Sequence, residues 1–287
     1  MSDHTSAAVI CDNLSPDGVR ITTFEVVFPR PILAEVNTHK VVAKSSASSR
    51  AIPVKKRIAE LVSHAFVPQS FTKNQPGMQA DESVDHRTEV AAREIWAKCL
   101  SVAMQGAAAL DALGVHKQHA NRLIEPFLYH KAVLTATEWD NFFALRNHKD
   151  AQPEFEVLAR LMKAAMDGSV PAYDQKFHLP YVTKEDELAL PIDVLWKVSA
   201  ARCARTSYHS IATGRLSQAE EDVALCDVLV QAGHMSPFEH VGFSDRLISR
   251  EPDGTLEWER PKDQRHFYGW IPYRTLIEGS KPCRRIA

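Results

Sequence analysis

Two stretches of the chain concentrate residue types that do chemistry. The first is Thr38-His39-Lys40 followed by Lys44-Ser45-Ser46-Ala47-Ser48-Ser49-Arg50, a run of cations and hydroxyls. Hydroxyls and a planar guanidinium donate fixed hydrogen bonds to phosphate oxygens, so this run suits a small anion. On composition alone, a solvated serine-rich loop is the better reading. The second stretch is Gly233-His234-Met235-Ser236-Pro237-Phe238-Glu239-His240. Its two histidines and glutamate could bind a metal or work as acid and base, and without a further run of ligands the metal is the weaker reading. Between them lie Asn121-Arg122-Leu123-Ile124-Glu125-Pro126 and the run Asn141 through Glu154 (NFFALRNHKDAQPE). On one helix Asn141 and Arg146 stand about 140° apart, with Arg146 at the end where a cation is favoured. Taken singly, each Arg is more often half of a surface ion pair than a ligand.

Whole classes of site are disfavoured by what the sequence lacks. It has no G-x-G-x-x-G after a strand, no P-loop, no H-E-x-x-H and no G-x-S-x-G, which argues against standard dinucleotide, ATP-phosphate and serine-hydrolase sites. Lys plus Arg number 34 against 36 Asp plus Glu, so no basic excess points to nucleic acid or an anionic membrane as partner. No apolar run approaches the length of about 20 residues that crosses a bilayer, and Met1 to Ala8 lacks the basic flank and apolar core of a secretory signal. A cytoplasmic protein without a membrane partner is expected. Cys11, Cys99, Cys203, Cys226 and Cys283 are odd in number, widely spaced and never in C-x-x-C, which predicts reduced thiols rather than disulfides or zinc.

The elements that must position these residues are legible by periodicity. Arg20 to Phe28 (RITTFEVVF) reads as a strand after the Ser15-Pro16-Asp17-Gly18 turn. Pro53 opens a short amphipathic helix that ends before Pro68, and Ser70 to Ser83 reads as a loop. Val90 to Leu113, with Ile95, Trp96, Cys99, Val102 and Leu110 at helical spacing, reads as a core helix stopped by Gly114. Helices are predicted from Thr137-Glu138 through Leu145 and from Pro153 to Gly168, the latter with Phe155, Leu158, Met162 and Ala165 inward. Gly168 to Pro191, with three prolines, reads as a connector. After it come a helix from Ile192 to Arg205, a helix opened by a Ser217–Glu220 capping box and stopped at Gly233, and a strand from Val241 to Ile248.

Taken together, the motifs resemble those of the flavin-dependent thymidylate synthases. Gly233 to His240 is similar to that family's G-H-x-S/T-P-F-E-H element. Thr38 to Arg50 resembles its R-H-R, seven residues, serine signature, with His39, Ser48 and Arg50 in register, Lys40 standing for arginine and Thr38 replacing the first arginine. Arg122 with Pro126 resembles A-R-x-x-L-P, Asn141 to Glu154 resembles N-F-L-x-L-R-x-x-x-x-A-Q-x-E, and Ala204-Arg205-Thr206-Ser207-Tyr208 resembles A-R-V-S-F. Ser45-Ser46 stands where the family has Asn-Glu. The G-H block here follows the R-H-R block instead of preceding it, as in a circularly permuted chain.

The resemblance implies an α+β fold, a mixed or antiparallel sheet flanked by helices, in a single interleaved domain over residues 1–287. It implies a homotetramer that binds FAD and makes dTMP from dUMP, with methylenetetrahydrofolate as carbon donor and NADPH as reductant. By motif position Ser48, Arg50 and Arg122 would grip the nucleotide phosphate, and Arg146 would face the pyrimidine, making Arg146 and Ser48 the catalytic pair. His39, Lys40, Asn141, Ser207, His234, Ser236 and Glu239 would line the flavin, with no metal. The departures at Thr38, Lys40 and Ser45-Ser46 leave open dCMP as the base, a hydroxymethyl product, or a non-catalytic nucleotide-binding scaffold of the same fold.

Overall fold

The computed structural model describes residues 4–76, 82–208 and 216–279. The predicted strand is β2 (Arg20–Pro29), and it lies inside a four-stranded antiparallel sheet with β1 (Ser6–Leu14), β3 (Ala43–Ser46) and β4 (Tyr129–Ala136), in the order β1-β2-β4-β3. Side chains alternate faces along a strand. On β2 and β4 this sends Phe24, Val26, Phe28, Leu134 and Ala136 to one side, against Phe142, Phe143, Phe155, Leu158 and Met162 of the helices that follow. These are α5 (Asp140–Arg146) and α6 (Pro153–Asp167). Gln152 caps α6 without a side-chain bond, Pro153 begins it, and Gly168 follows its end, as predicted.

The opposite face of the sheet is polar yet buried. Thr23, Glu25, Thr135 and Ser45 are all under 9% exposed, because the later part of the chain covers them. Thr23 and Thr135 are cross-strand partners with their hydroxyls 2.7 Å apart. Thr23 Oγ1 also meets His178 Nε2 at 2.7 Å, and His178 Nδ1 lies 2.6 Å from Asn13 Oδ1. On the other side Thr135 Oγ1 meets His240 Nδ1 at 2.8 Å, and His240 Nε2 lies 2.9 Å from Ser45 Oγ. Beside this line, the Tyr181 hydroxyl donates to Glu25 at 2.7 Å, and Glu25 pairs with Lys131 at 3.0 Å.

Several expectations are corrected. The Gly168–Pro191 connector holds β5 (Phe177–His178) and α7 (Lys184–Ala189), the latter opened by a Thr183/Asp186 capping box. Before α5 come two further short helices, α1 (Leu33–Val36) and α4 (Lys117–Ala120), besides α2 (Val54–His64) and α3 (His86–Ala112). The long α3 gives one face to a core: Ala107 is buried and Trp96, Leu100, Met104 and Leu110 pack against the cluster that holds Leu61 and Phe127, whereas Ile95 and Val102, expected inward, are 65% and 62% exposed and Cys99 faces outward. The later helices α8 (Ile192–Ala204) and α9 (Ala219–Gln231) stand where predicted. Ser217 does not cap α9; its hydroxyl donates to the buried Asp222 carboxylate, a stronger acceptor, which also takes Arg202 and Arg205. The strand predicted from Val241 to Ile248 is two strands, β6 (Gly242–Ser244) and β7 (Leu247–Arg250). They part at Asp245, whose carboxylate accepts from the Arg246 and Arg260 backbones and the Gln264 side chain. After them come β8 (Leu256–Trp258), β9 (Trp270–Pro272) and α10 (Tyr273–Glu278), with β6 between β5 and β9 and β7 paired to β8. Cys283 lies outside the described residues; Cys11, Cys99, Cys203 and Cys226 are free thiols.

The buried histidines give the fold a pH dependence. Burial pushes His178, His240 and His130 down to about 3, with the Arg30 guanidinium adding to the effect on His130. Each stays neutral in the fold while its unfolded counterpart titrates near 6.5, so between about pH 3 and 6.5 the unfolded chain binds more protons. Their contribution to stability is therefore full above about pH 6.5 and lost as the pH falls toward 3, with a slope of up to about 1.4 kcal/mol per pH unit for each histidine. Urea midpoints measured from pH 7.5 to 4.5 should fall accordingly, and His130→Gln should flatten the slope. Midpoints that do not move over this range would contradict the assignment.

Candidate functional site

The segment between β2 and β3 and the short helix α5 bring one group of predicted residues together. His39 is 8% exposed and packs edge-on against Phe142 and Phe155. Arg146, the last residue of α5, turns back so that Nε donates to His39 Nε2 at 3.0 Å and Nη2 reaches Thr38 Oγ1 at 3.4 Å, its guanidinium lying 4.7 Å over the Phe155 ring. Burial lowers His39 to about 4, and the Arg146 and Lys44 charges push it the same way. A neutral His39 is what lets Nε2 accept from an arginine. Thr38, standing for a cation of the family pattern, thus receives the arginine as a neutral acceptor. Lys40 is exposed, whereas Lys44 is held by the carbonyls of His39 and Val42 at 2.5 and 2.8 Å.

His39 and Asn141 line the same cleft of about 570 Å³, with Val41, Thr137, Trp139 and Phe143. Trp139 Nε1 is buried without a hydrogen-bond partner among the described residues. Arg20 and Lys163 border the cleft, as do Glu138, Asp140 and Asp167. The cleft therefore mixes aromatic rings with charged and polar side chains of both signs. The three carboxylates disfavour a diphosphate in the same place.

A second group forms around the turn that follows β3. Ser48 and Arg50 are exposed, and the Arg50 N–H donates to Ser48 Oγ at 3.2 Å. The Ser48 N–H donates to Ser207 Oγ at 3.0 Å, across 159 residues of sequence. Asn121 donates from Nδ2 to the carbonyls of Ser49 at 2.7 Å and Ile52 at 2.9 Å, and Lys117 donates to that of Ala51 at 3.0 Å. Arg122, next along the chain, is half-exposed and chelates Glu125 at 3.0 and 2.8 Å, a carboxylate that Arg30 also meets at 3.2 Å. Arg50 makes no ion pair among the described residues. A hydroxyl and two guanidiniums are thereby presented from two adjoining turns.

The Gly233–His240 stretch divides between surface and core. Gly233, at φ +73°, ends α9, and the His234 N–H returns to the Leu229 carbonyl. His234 and Ser236 are exposed, so they face outward beside the turn Ser236–Glu239. Glu239 pairs with Arg274 of α10 at 2.6 Å. His240 points inward to Thr135 and Ser45, so it is not a partner of His234 for a metal or for acid–base chemistry. Sequence reasoning missed Asn121 as a clamp, Arg274 as the partner of Glu239, and the Tyr268 N–H donated to Thr137 Oγ1 at 2.9 Å. The available signal for the last two is the mixed aromatic and cationic composition of residues 264–279 (QRHFYGWIPYRTLIEG).

A model of the family described as thymidylate synthase complementing protein matches residues 19–172. Among solved structures, a UMP/dUMP methylase PolB from Streptomyces cacaoi bound with 5-Br UMP is similar with a TM-score of 0.50 at 16% identity, over 58% of this chain and 89% of that one. Its complex with 5-Br dUMP gives a TM-score of 0.47 at 15% identity, over 57% and 90%. At such identity the likeness is one of fold. A search of curated proteins gives no match. The matched region is more than half of the chain, and it contains β2, β3 and β4, the turn with Ser48 and Arg50, Arg122, and α5 with Arg146. The chain belongs to the thymidylate synthase complementing protein family.

Proposed function

We propose that the chain is a flavin- and folate-dependent C5 methyltransferase of a pyrimidine deoxynucleotide, converting dUMP to dTMP with methylenetetrahydrofolate and NADPH. The observation that carries this reading is the presentation of Ser48, Arg50 and Arg122 from two turns bound to each other, inside the region that matches the family. A phosphate arriving there competes with Glu125 for Arg122 and meets Arg50 as a cation without a rival carboxylate among the described residues. Two charge-assisted contacts and a hydroxyl then fix the nucleotide. Arg146 faces the pyrimidine in this reading. With Nε committed to neutral His39 and Nη2 reaching Thr38, Nη1 is the donor for negative charge that develops on the ring.

FAD is the expected cofactor, and His39, Lys40, Asn141, Ser207, His234, Ser236 and Glu239 would hold it. When bound, it supplies the hydride chemistry that no side chain can. The chain's own part is to orient the two heterocycles and exclude water. The working form is a homotetramer in this reading. Its support is the outward stripe of Ile95, Cys99 and Val102 on α3, beside an apolar hollow with Phe71, Trp96 and Phe127, a surface that suits contact with another subunit. Light scattering should report four chains, and Val102→Asp should reduce that number. A monomeric wild-type protein would refute the assembly.

The activity is tested by tritium release from 5-labelled dUMP and dCMP with methylenetetrahydrofolate and NADPH. Release from dUMP is expected, together with the yellow colour of oxidised flavin. Arg146→Ala should abolish release. No release from either nucleotide by a flavin-loaded protein would sink the enzyme reading, and colourless protein that FAD cannot reconstitute would favour a scaffold.

The reading also takes both motif blocks as parts of one site in permuted order, within one interleaved domain. The Ser48–Ser207 and Ser45–His240 hydrogen bonds support it. Fragments 1–175 and 176–287 made separately should each bind no flavin and should expose core surface that the other covers. Stoichiometric FAD on either fragment alone would overturn the two-part site.

A further inference from the structure

Asn121 is fully buried at the start of the turn Asn121–Phe127, one residue before Arg122. Both of its amide protons leave its own segment: Nδ2 donates to Ser49 O and Ile52 O, at the two ends of the turn that carries Arg50. The cost is visible at its other atom, since Oδ1 is buried with no partner among the described residues. Exchanging the two atoms would set an oxygen against two carbonyl oxygens, so the orientation is fixed by the turn it grips. Lys117, four residues earlier, adds a third bond to the same turn at Ala51 O. The turn in return has its Ser48 N–H on Ser207. Its amide connects the backbone of one anion-binding turn to the backbone of the other.

We infer that Asn121 is the positioning residue of the nucleotide site: by bonding Ser49 and Ile52 it sets the separation between Arg50 and Arg122, and so makes one receptor for a nucleoside monophosphate out of two turns. The inference rests on the reading of Ser48, Arg50 and Arg122 as the phosphate grip. Asn121 itself does not touch the ligand. Its effect passes through the positions of the two guanidiniums, and so it belongs to affinity and not to the chemical step.

Three variants of the full-length protein test this: Asn121→Ala, which removes both donors; Asn121→Ser, which can restore one; and Arg50→Ala. Loss of one charged contact in Arg50→Ala should weaken dUMP binding by roughly ten- to a hundredfold. Asn121→Ala should raise the KM for dUMP at least tenfold with kcat kept within about threefold, and Asn121→Ser should recover part of the loss. The double variant Asn121→Ala/Arg50→Ala should be little worse than Arg50→Ala, because the clamp acts through the arginine. Losses that multiply in the double variant, or a fall in kcat equal to the rise in KM, would overturn the inference, as would unchanged KM.

Amide hydrogen exchange in the ligand-free protein separates this inference from the functional reading. Asn121→Ser should speed exchange at Arg50 and Ala51 while the amides of β2 and β4 stay protected. Uniform acceleration over the whole chain would show a merely structural residue. Wild-type protein that binds neither dUMP nor dCMP would instead defeat the reading of the grip, and with it the role of Asn121 at a nucleotide site.

Discussion

The structure depends on a polar row that must be buried. Period-2 alternation in β2 puts Phe24, Val26 and Phe28 on one face and Thr23 and Glu25 on the other, and both faces are covered. An isolated buried hydroxyl or imidazole costs on the order of 1–3 kcal/mol, so Thr23 and Thr135 require partners from outside the sheet. His178 and His240 provide them, and with both rings neutral the bonds run in one direction. Ser45 donates to His240 Nε2, His240 Nδ1 to Thr135, Thr135 to Thr23, Thr23 to His178 Nε2, and His178 Nδ1 to Asn13 Oδ1. Every lone pair used has one proton aimed at it. A second proton on either ring would oppose two donors at one step, and this is why burial and the bonding pattern both hold these histidines neutral.

This row lies between segments far apart in sequence, and it decides where the candidate site is built. Ser45 sits in β3, the strand that leads directly into the Ser46–Arg50 turn, and His240 follows directly after Glu239. Fixing one to the other brings the end of the later motif stretch beneath the start of the earlier one. The exposed atoms left over are then those of Ser48, Arg50, His234 and Ser236. Buried members of each stretch make the scaffold while their exposed neighbours face solvent, so within these short motifs a difference of one or two residues separates a structural role from a chemical one.

That alternation explains which parts of the protein were legible in sequence. β2, α2 and α6 carry clear period or proline signals and stand close to the predicted bounds, and α8 begins where Pro191 marks its start. Tyr129–Ala136 (YHKAVLTA) gives no strand signal of its own: unlike β2, with its run of β-branched and aromatic residues after a turn, it holds two alanines, a histidine and a lysine, and its strand form comes from pairing with β2 and β3. His178 was hidden in a proline-rich connector whose short strand exists only through pairing with β6. The outward face of α3 could not be told from an inward one, since amphipathic spacing reports a stripe without saying what covers it. At the candidate site the residue types were readable, whereas the grouping was not: nothing in the spacing placed Arg146 on His39, Ser207 on Ser48, or Glu239 on Arg274.

Ser207 shows how far from the site its position is determined. It follows α8, whose end is held by Arg202 and Arg205. Arg202, 3% exposed, binds Asp222 at 2.9 Å and Asp186 and donates to the carbonyl oxygens of Tyr181 and Ser217. Arg205 meets the other oxygen of Asp222 at 3.2 Å. Such a network adds little net stability over a well-packed apolar substitute, because desolvation offsets most of the attraction. What an apolar substitute lacks is direction. A guanidinium bonded on all sides permits one placement of the helix end, and Thr206, donating to the Cys203 carbonyl at 2.9 Å, passes that placement to the next residue. The Ser207 hydroxyl is thus delivered to the Ser48 backbone by charges that lie outside the site, and this explains why the chain buries them at little net gain in stability.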